Sequence, residues 1–368
     1  HSEKTVEELP REDRSKFLLP KRQEHVNIHC GVSSIERPHH ISSSSYLMPV
    51  GGAIVVFAKC PTPGATKTRL IPLLGEDGAA FLAEAMLSDI LVSLSECQEL
   101  EGTLKVLMYA PGTAAAEAQL TSILHTLNIA HYSSKSIPNA NQWHLIPMIS
   151  SPEKKLTGVL TSSRAHSDLT SSSLGEKLID ALERVRALLA SSIEIYQHNE
   201  SVLFLGMDSP EIPIDEVTYG LHISSGKHTT QQTVESGGSR RFSGKAHMCP
   251  ANDGGYGLLS VPIHAPTSIF SGVRWSTQLT AVSQLKALTD ACVDISIGQL
   301  MFDIDEPEDV HLLVDRLTKE KGPNDVCAEN DVLTKSSRND IFDEHTFEKD
   351  CNGCRRTLQM LIKLGLVK

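Results

Sequence analysis

The sequence predicts an α/β fold: a mainly parallel sheet with helices on both faces. Three observations predict it. The apolar run Ala53-Ile54-Val55-Val56-Phe57-Ala58, rich in β-branched residues, reads as a short buried strand. Strand-like and helix-like periods then alternate along the chain, as they do when strand–helix–strand units build a parallel sheet. Finally, a loop carrying Lys59, Lys67 and Arg69 follows the first strand, at the carboxyl end where open α/β sheets bind ligands.

Composition narrows the function classes. With 368 residues, 40% of them hydrophobic and 21% charged, the chain has the makeup of a soluble globular protein with a sizeable core. A formal net charge of -11 argues against nucleic-acid binding through a generally basic surface. An anionic substrate then needs a local cationic pocket, a bound metal, or both. Eight scattered cysteines are too sparse for a disulfide scaffold, and reduced thiols point to the cytoplasm. Cys351-Asn352-Gly353-Cys354 lacks the second pair that a zinc site wants and reads as structural or incidental. No apolar run is expected to reach the length of a membrane span. The chain starts at His1 rather than Met, which leaves organelle targeting open.

Each element has its reason. Residues 1–50 are polar, charged and without periodicity, and read as a flexible leader whose histidines (His25, His29, His39, His40) are solvated. Two prolines and Gly64 force a loop after Lys59. Ala79, Leu82, Met86, Ile90 and Leu94 recur at spacings of three and four, predicting an amphipathic helix from Gly75 to Ser95. Leu104–Tyr109 reads as a strand, and Pro111-Gly112 turns the chain into an Ala-rich helix ending at Leu127. Residues 129–173, rich in serine and proline, are expected to be an irregular insertion. A helix follows over Leu174 to Ser191, then a buried strand over Ser201–Gly206. Residues 222–246 read as a second, mobile insertion. Strands are expected over His247–Ala251 and Tyr256–Val261, flanking Asn252-Asp253-Gly254-Gly255. Ser276 or Thr277 is the expected N-cap of a helix to Leu288. Asp303 to Asp309 lead into another through Leu317, and residues 319–368 read as a polar linker and a basic helical tail.

Four places carry candidate chemistry. Lys59, Lys67 and Arg69 suit a polyphosphate, since Arg grips phosphate in a bidentate way and Lys acts as a point charge; a plain basic surface loop fits equally. Asp208, directly after a buried strand, has the placement of a carboxylate bridging Mg²⁺ or Mn²⁺ to substrate phosphates, or of a turn and capping residue before a helix. Asp253 with Gly254 and Gly255 would complete a metal shell or orient an acceptor hydroxyl, while Asn-Asp-Gly-Gly is also β-turn chemistry. Asp303 and Asp305 are further acidic candidates that a charged helix start explains nearly as well. Cys60 stands beside Lys59, which would lower its pKa, yet a bystander thiol is the simpler reading.

Taken in order, FAKCPTPGATKTRLIPLLG, LGEKL, LGMDSPEIP, CPANDGGYGLLSVP, RWST and DIDEPEDV resemble the GT-A-superfamily transferases of unassigned function, often described as glycosyltransferases and some as associated with arsenosugar biosynthesis. The resemblance spans residues 53–318. Lys-Thr-Arg-Leu is also similar to 2-phospholactate guanylyltransferases, and Asp208-Ser209-Pro210 to the metal site of molybdenum-cofactor guanylyltransferases. The resemblance implies a nucleotide-diphosphosugar-transferase (GT-A, Rossmann-like) fold over 51–318, interrupted by the two insertions. It further implies phosphate binding by Lys59, Lys67 and Arg69 in the Pro63-Gly64 loop, and metal at Asp208. Asp253, Gly254 and Gly255 would line the acceptor or second metal position, and Trp275 to Thr277 would close the far side. Cys249 stands where the family tends to have Gly, Gly257 where it tends to have an aromatic, and Glu306 where it tends to have Thr.

The implied activity is transfer from a nucleotide-activated sugar to a small-molecule acceptor, with Mg²⁺ or Mn²⁺ as cofactor, Lys67 and Arg69 assisting the departing diphosphate and Asp253 as base. A nucleotidyltransferase releasing pyrophosphate from a nucleoside triphosphate is the alternative, and a catalytically silent nucleotide-binding module a third.

Overall fold

The computed structural model describes residues 51–132, 142–148, 173–191, 200–225, 244–319 and 353–367. All of them belong to the unit Leu47–Lys368. The expected leader, its histidines, residues 226–243 of the expected 222–246 insertion and Cys351 lie outside the described residues, whereas 222–224 end a helix and 244–246 open a strand.

Strand β1 (Ala53–Lys59) runs through the middle of an eight-stranded sheet. On one side it pairs in parallel with β2 (Leu104–Ala110), which carries β4 (Trp143–Pro147) and the edge strand β3 (His131–Tyr132), all parallel. On the other side it pairs in parallel with β5 (Ser201–Gly206), Val55 lying opposite both Val106 and Phe204. Beyond β5, β7 (Tyr256–Pro262) runs antiparallel to β5 and to β6 (Gly244–Pro250), and β8 (Val293–Ile297) pairs in parallel with β6. This is the expected α/β class.

Why β1 is apolar throughout follows from the pleat, which sends alternate side chains to opposite faces. Ile54, Val56 and Ala58 join a core with α1 (Ile71–Glu96), α2 (Ala114–Thr126) and α4 (Ile214–Ser224). Ala53 and Val55 join the opposite core with α3 (Leu174–Ser191) and α5 (Thr280–Asp290). Both faces are therefore dry, and each fully buried aliphatic side chain contributes roughly 1.5–3 kcal/mol.

Several expectations need correction. Helix α1 is not amphipathic but buried on two sides. Leu87, Ile90, Leu91 and Leu94 face the sheet. Ala79, Leu82 and Met86 face a third core made with α6 (Pro307–Lys319) and α7 (Arg355–Lys363). With the preceding turn it is also long and apolar enough to cross a membrane, contrary to expectation, but 72% of its apolar window is buried inside the fold, as a core helix requires. Gly75, at φ 72° and ψ 171°, separates its first turn from the rest. Within 129–173, expected to be irregular, β3 and β4 extend the sheet, and Trp143 is fully buried with its indole N–H donating to Ser95 Oγ at 2.9 Å. These strands are too short for their period to show in a serine-rich background. Helix α5 starts at Thr280, because Ser276 is left-handed (φ 58°) and Thr277 Oγ1 instead accepts from the Leu279 amide at 3.2 Å. Strand β8 was not anticipated.

The carboxyl-terminal helix packs on the domain. Asp89 of α1, fully buried, accepts from the amides of Arg356 (3.0 Å) and Thr357 (2.7 Å), satisfying two of the donors that α7 leaves open at its first turn. Burial pushes the Asp89 carboxyl above its ordinary range, opposed by the two amides and by the Arg356 guanidinium. Asp89→Ala is expected to cost about 2–4 kcal/mol, because two amides lose their acceptor. Chemical denaturation measures the loss, and hydrogen exchange should show faster exchange at Arg356 and Thr357; unchanged protection there would refute the capping role.

Candidate functional site

The chain switches direction along the sheet at β1, whose neighbours β2 and β5 lie on opposite sides, and ligands in such sheets bind at the carboxyl ends beside that switch. A cleft of about 330 Å³ opens there. Lys59, Thr66, Lys67, Thr68, Arg69, Asp208 and Asp305 supply its polar lining.

The first loop is built to be rigid. Thr66 Oγ1 donates to the Cys60 carbonyl at 2.6 Å and accepts from the Thr62 amide at 3.2 Å, while Gln119 Nε2 of α2 donates to the Pro61 carbonyl at 2.6 Å. Gly64 takes φ +71°, which a side chain disfavours. Cys60 sits beneath this loop with its thiol donating to Gln119 Oε1 at 3.1 Å. Burial pushes the Cys60 thiol up, against the expected activation by Lys59.

Lys67 is the loop's structural centre. Its backbone is left-handed (φ 50°, ψ 45°) and its side chain is only 6% exposed. The ammonium donates to the Ile304 carbonyl at 2.7 Å and to Asp305 Oδ1 at 2.8 Å, and pairs with Asp208 Oδ1. Burial works to lower the Lys67 pKa, but the charges of Asp208 and Asp305 outweigh it and hold the ammonium above the ordinary lysine range. Lys67 is thus occupied by carboxylates, whereas Lys59 is exposed and Arg69 is exposed and ion-paired with Glu306 at 3.0 Å. An exposed pair of this kind is weak and readily exchanged for another anion.

The acidic side comes from three segments. Asp208 stands just past β5, and its carbonyl accepts from the Ile304 amide at 2.9 Å, which brings Asp303 and Asp305 alongside. Asp309, not Asp303 or Asp305, caps the approach to α6, accepting from the amides of Asp305 (3.0 Å) and Glu306 (2.7 Å). Asp303 and Asp305 are therefore spared that duty. Burial, and then the charges of Asp253, Asp305 and Asp208, push the Asp303 carboxyl up to about 6. Asp303, a further acidic candidate in the sequence that a helix start explains nearly as well, is the acid on which the other three act; the Asp-Ile-Asp alternation, which sends both carboxylates to one side of an extended segment, is the signal that favours the first reading.

The structure thus brings Lys59, Lys67, Arg69 and Asp208 together in the cleft, with Asp253 close enough to act on Asp303 by its charge. Pro63, Gly64, Gly254 and Gly255 do not line the cleft. Gly254, at φ +87°, lies where a Cβ would come within 2.3 Å of the Gln278 carbonyl, and the Gly255 amide donates to Asp253 Oδ1 at 2.7 Å. These two glycines shape the turn that presents Asp253. Trp275 packs on Gly175, where a Cβ would meet the indole at 2.7 Å, joining the LGEKL and RWST segments.

Residues 148–277 match the model of a family described as an uncharacterized protein conserved in bacteria (DUF2064), a segment that contains Asp208 and Asp253. No curated protein sequence matches the chain. Among solved structures, a provisionally assigned nucleotide-diphospho-sugar transferase from Desulfovibrio desulfuricans G20 superimposes with a TM-score of 0.50 at 18% identity, covering 86% of this chain and 97% of its own. The fold is therefore that of a nucleotide-diphospho-sugar transferase. A cytidylyltransferase from Leptospira borgpetersenii gives a TM-score of 0.39 at 11% identity, covering 72% of this chain and 84% of its own. The 4-diphosphocytidyl-2C-methyl-D-erythritol synthase of Anaerococcus prevotii gives 0.36 at 11% identity, with coverages of 72% and 96%.

Two outcomes test this geometry. Lys67→Met is expected to cost about 2–3 kcal/mol in denaturant unfolding, less than a fully buried pair because Asp208 and Asp305 stay nearly half exposed, whereas Arg69→Met changes stability by no more than about 0.5 kcal/mol. The Asp303 carboxyl titrates at about 6 in the fold against an ordinary 3.8, so the native state holds its proton longer and stability falls as pH rises through that window. Asp303→Asn should therefore raise stability by about 1 kcal/mol at pH 7, allowing for solvent screening of a partly exposed group, and by nothing below about pH 4. Thermal unfolding in EDTA at the two pH values reads this difference, and an equal effect at both would refute it.

Proposed function

We propose that this chain, a DUF2064 sequence over residues 148–277, is a metal-dependent transferase acting on a nucleotide-activated sugar. One observation carries the reading: in a single cleft at the switch point, the carboxylates Asp208 and Asp305 face the cationic 59–69 loop, with Asp303 and Asp253 adjoining. The donors on the acidic side are all carboxylate oxygens, the set that Mg²⁺ and Mn²⁺ prefer. That burial and neighbouring charge push the Asp303 carboxyl up to about 6 marks a site with negative charge in excess, which a divalent cation would relieve. The residues present fit such an ion, with Asp208 and its neighbours Asp303 and Asp305 as its holders and Asp253 on the rim. Bound there, it would offset the charge developing on the departing diphosphate.

The remaining work falls to the chain's own groups. Lys59 and Arg69, both exposed at the mouth, are placed to meet the phosphates. Lys67 acts as a positioning residue, holding Asp208 and Asp305 in register rather than reaching for phosphate itself. Asp253, exposed and fixed by the Gly255 amide, is the group available to take a proton from an acceptor hydroxyl. A second reading, nucleotidyl transfer with release of pyrophosphate, draws support from the way the cationic loop lies against the Asp208 side of the cleft, where a triphosphate would gain most from it.

Thermal stabilisation by nucleoside triphosphates, diphosphates and nucleotide sugars, each with Mn²⁺, Mg²⁺ or EDTA, separates these readings. A ligand at 100 times its Kd adds about 2.7 kcal/mol, a readily measured shift. The transferase reading expects a metal-dependent shift with a nucleotide sugar that Asp208→Asn abolishes, and release of a nucleoside diphosphate on turnover. A shift confined to a triphosphate, with pyrophosphate released, selects the second reading. Binding without turnover identifies a silent module, and the absence of any shift removes the nucleotide reading altogether.

A further inference from the structure

On the face of the sheet covered by α4, three side chains of different chemistry converge. His247 and Cys249 alternate along β6, so the pleat sends both to that face, while Met248 between them enters the opposite core. Glu216 comes from the first turn of α4. His247 Nε2 lies 2.8 Å from Glu216 Oε2 and 3.7 Å from Cys249 Sγ, and one ligand atom from each residue falls within 4.8 Å of the other two. All three residues are buried. The other carboxylate oxygen, Glu216 Oε1, accepts from the Gln299 amide at 3.0 Å, which fixes the direction of Oε2. Gly298, just past β8, closes the cluster: a Cβ there would lie 2.6 Å from both Cys249 Sγ and Glu216 Oε2 and 2.8 Å from the His247 ring.

We infer that Glu216, His247 and Cys249 form a zinc site, separate from the acidic cleft. The donor set decides the metal. A thiolate and an imidazole are poor partners for Mg²⁺ or Ca²⁺, which take oxygen, whereas Zn²⁺ binds thiolate, imidazole and carboxylate together. Tetrahedral zinc, with bonds of about 2.3 Å to sulfur and about 2.0 Å to nitrogen, separates those two donors by about 3.5 Å. The observed 3.7 Å is close to that spacing, whereas the 2.8 Å between His247 Nε2 and Glu216 Oε2 is that of a hydrogen bond, which opens by about 0.5 Å when zinc takes the place of its proton. The charges also balance. A thiolate and a carboxylate neutralise Zn²⁺, so the filled site puts no net charge into the core. Binding displaces the thiol proton to solvent, requires the His247 ring proton to sit on Nδ1 rather than between Nε2 and Glu216 Oε2, and leaves a fourth position to water.

The site has a consequence for its surroundings. Glu216 follows Asp208 by eight residues and Cys249 precedes Asp253 by four. An ion held by both would tie together the two segments that present the cleft's acids, a structural role that requires no zinc in any reaction.

The test uses the full chain, purified without a histidine tag, stripped of metal and titrated with Co²⁺. The inference expects one equivalent bound with a thiolate-to-cobalt charge-transfer band, displaced by Zn²⁺, retained in Asp208→Asn and lost in Cys249→Ala. Gly298→Ala keeps all three donors but crowds them, and should weaken Zn²⁺ binding at least tenfold against a chromophoric chelator. No thiolate band in the wild type, a band that survives Cys249→Ala, or Zn²⁺ affinity unaltered in Gly298→Ala would each overturn the site. The wild-type and Gly298→Ala arms decide the matter should Cys249→Ala fail to fold.

Discussion

The Lys67 ammonium, held by Asp208, Asp305 and the Ile304 carbonyl, is the interaction on which the site depends. It joins the loop after β1, the loop after β5 and the segment entering α6, three stretches far apart in the chain. Burying an ammonium is costly, and it persists here because two carboxylates and a carbonyl saturate its three donors. The left-handed backbone at Lys67, disfavoured for a residue with a side chain, is held by the same contacts. The first loop therefore cannot move without disturbing the acids opposite it.

Around that link, the division of labour among like residues follows from burial. Of three cations in one short loop, the buried one braces the acids and the two exposed ones remain available to an anion. The acids divide similarly. Asp309 caps a helix entrance, Asp89 caps α7 from a neighbouring helix, and Asp303 is held in a crowded negative field. Aspartate count alone says nothing about which of these roles a given residue takes; its neighbours decide.

Much of the fold was legible because long elements have strong periods. The runs at 53–58 and 201–206 are apolar throughout, as strands buried on both faces must be, and the spacing of Leu82, Met86 and Ile90 marks a helix. Legibility failed where tertiary context sets the outcome. Trp143 lies in a five-residue strand whose pairing with β2 no local pattern announces, and Ala79 and Leu82 face a core completed by residues about 280 positions later. At the site, the sequence pointed to Lys67 and Asp208 through their places after buried strands. It could not say that they meet each other, because that contact is made only when the sheet aligns β1 with β5. The turn reading of Asn-Asp-Gly-Gly and the placement of Asp253 beside the other acids also turn out to be compatible, since the glycines form the turn that carries the carboxylate.

The docking of α7 has a bearing on how the protein is made. The outer stripe of α1, with Leu82 and Met86 fully buried in the finished fold, is completed by Leu358 and Leu361. The amides that Asp89 accepts are 267 and 268 positions downstream. A ribosome that has released the whole sheet has not yet released those residues, so the nascent domain displays an apolar stripe until α7 emerges. Chains cut short by a premature stop would keep that stripe bare, and their fate would be governed by chaperone capture and degradation rather than by any defect at the cleft.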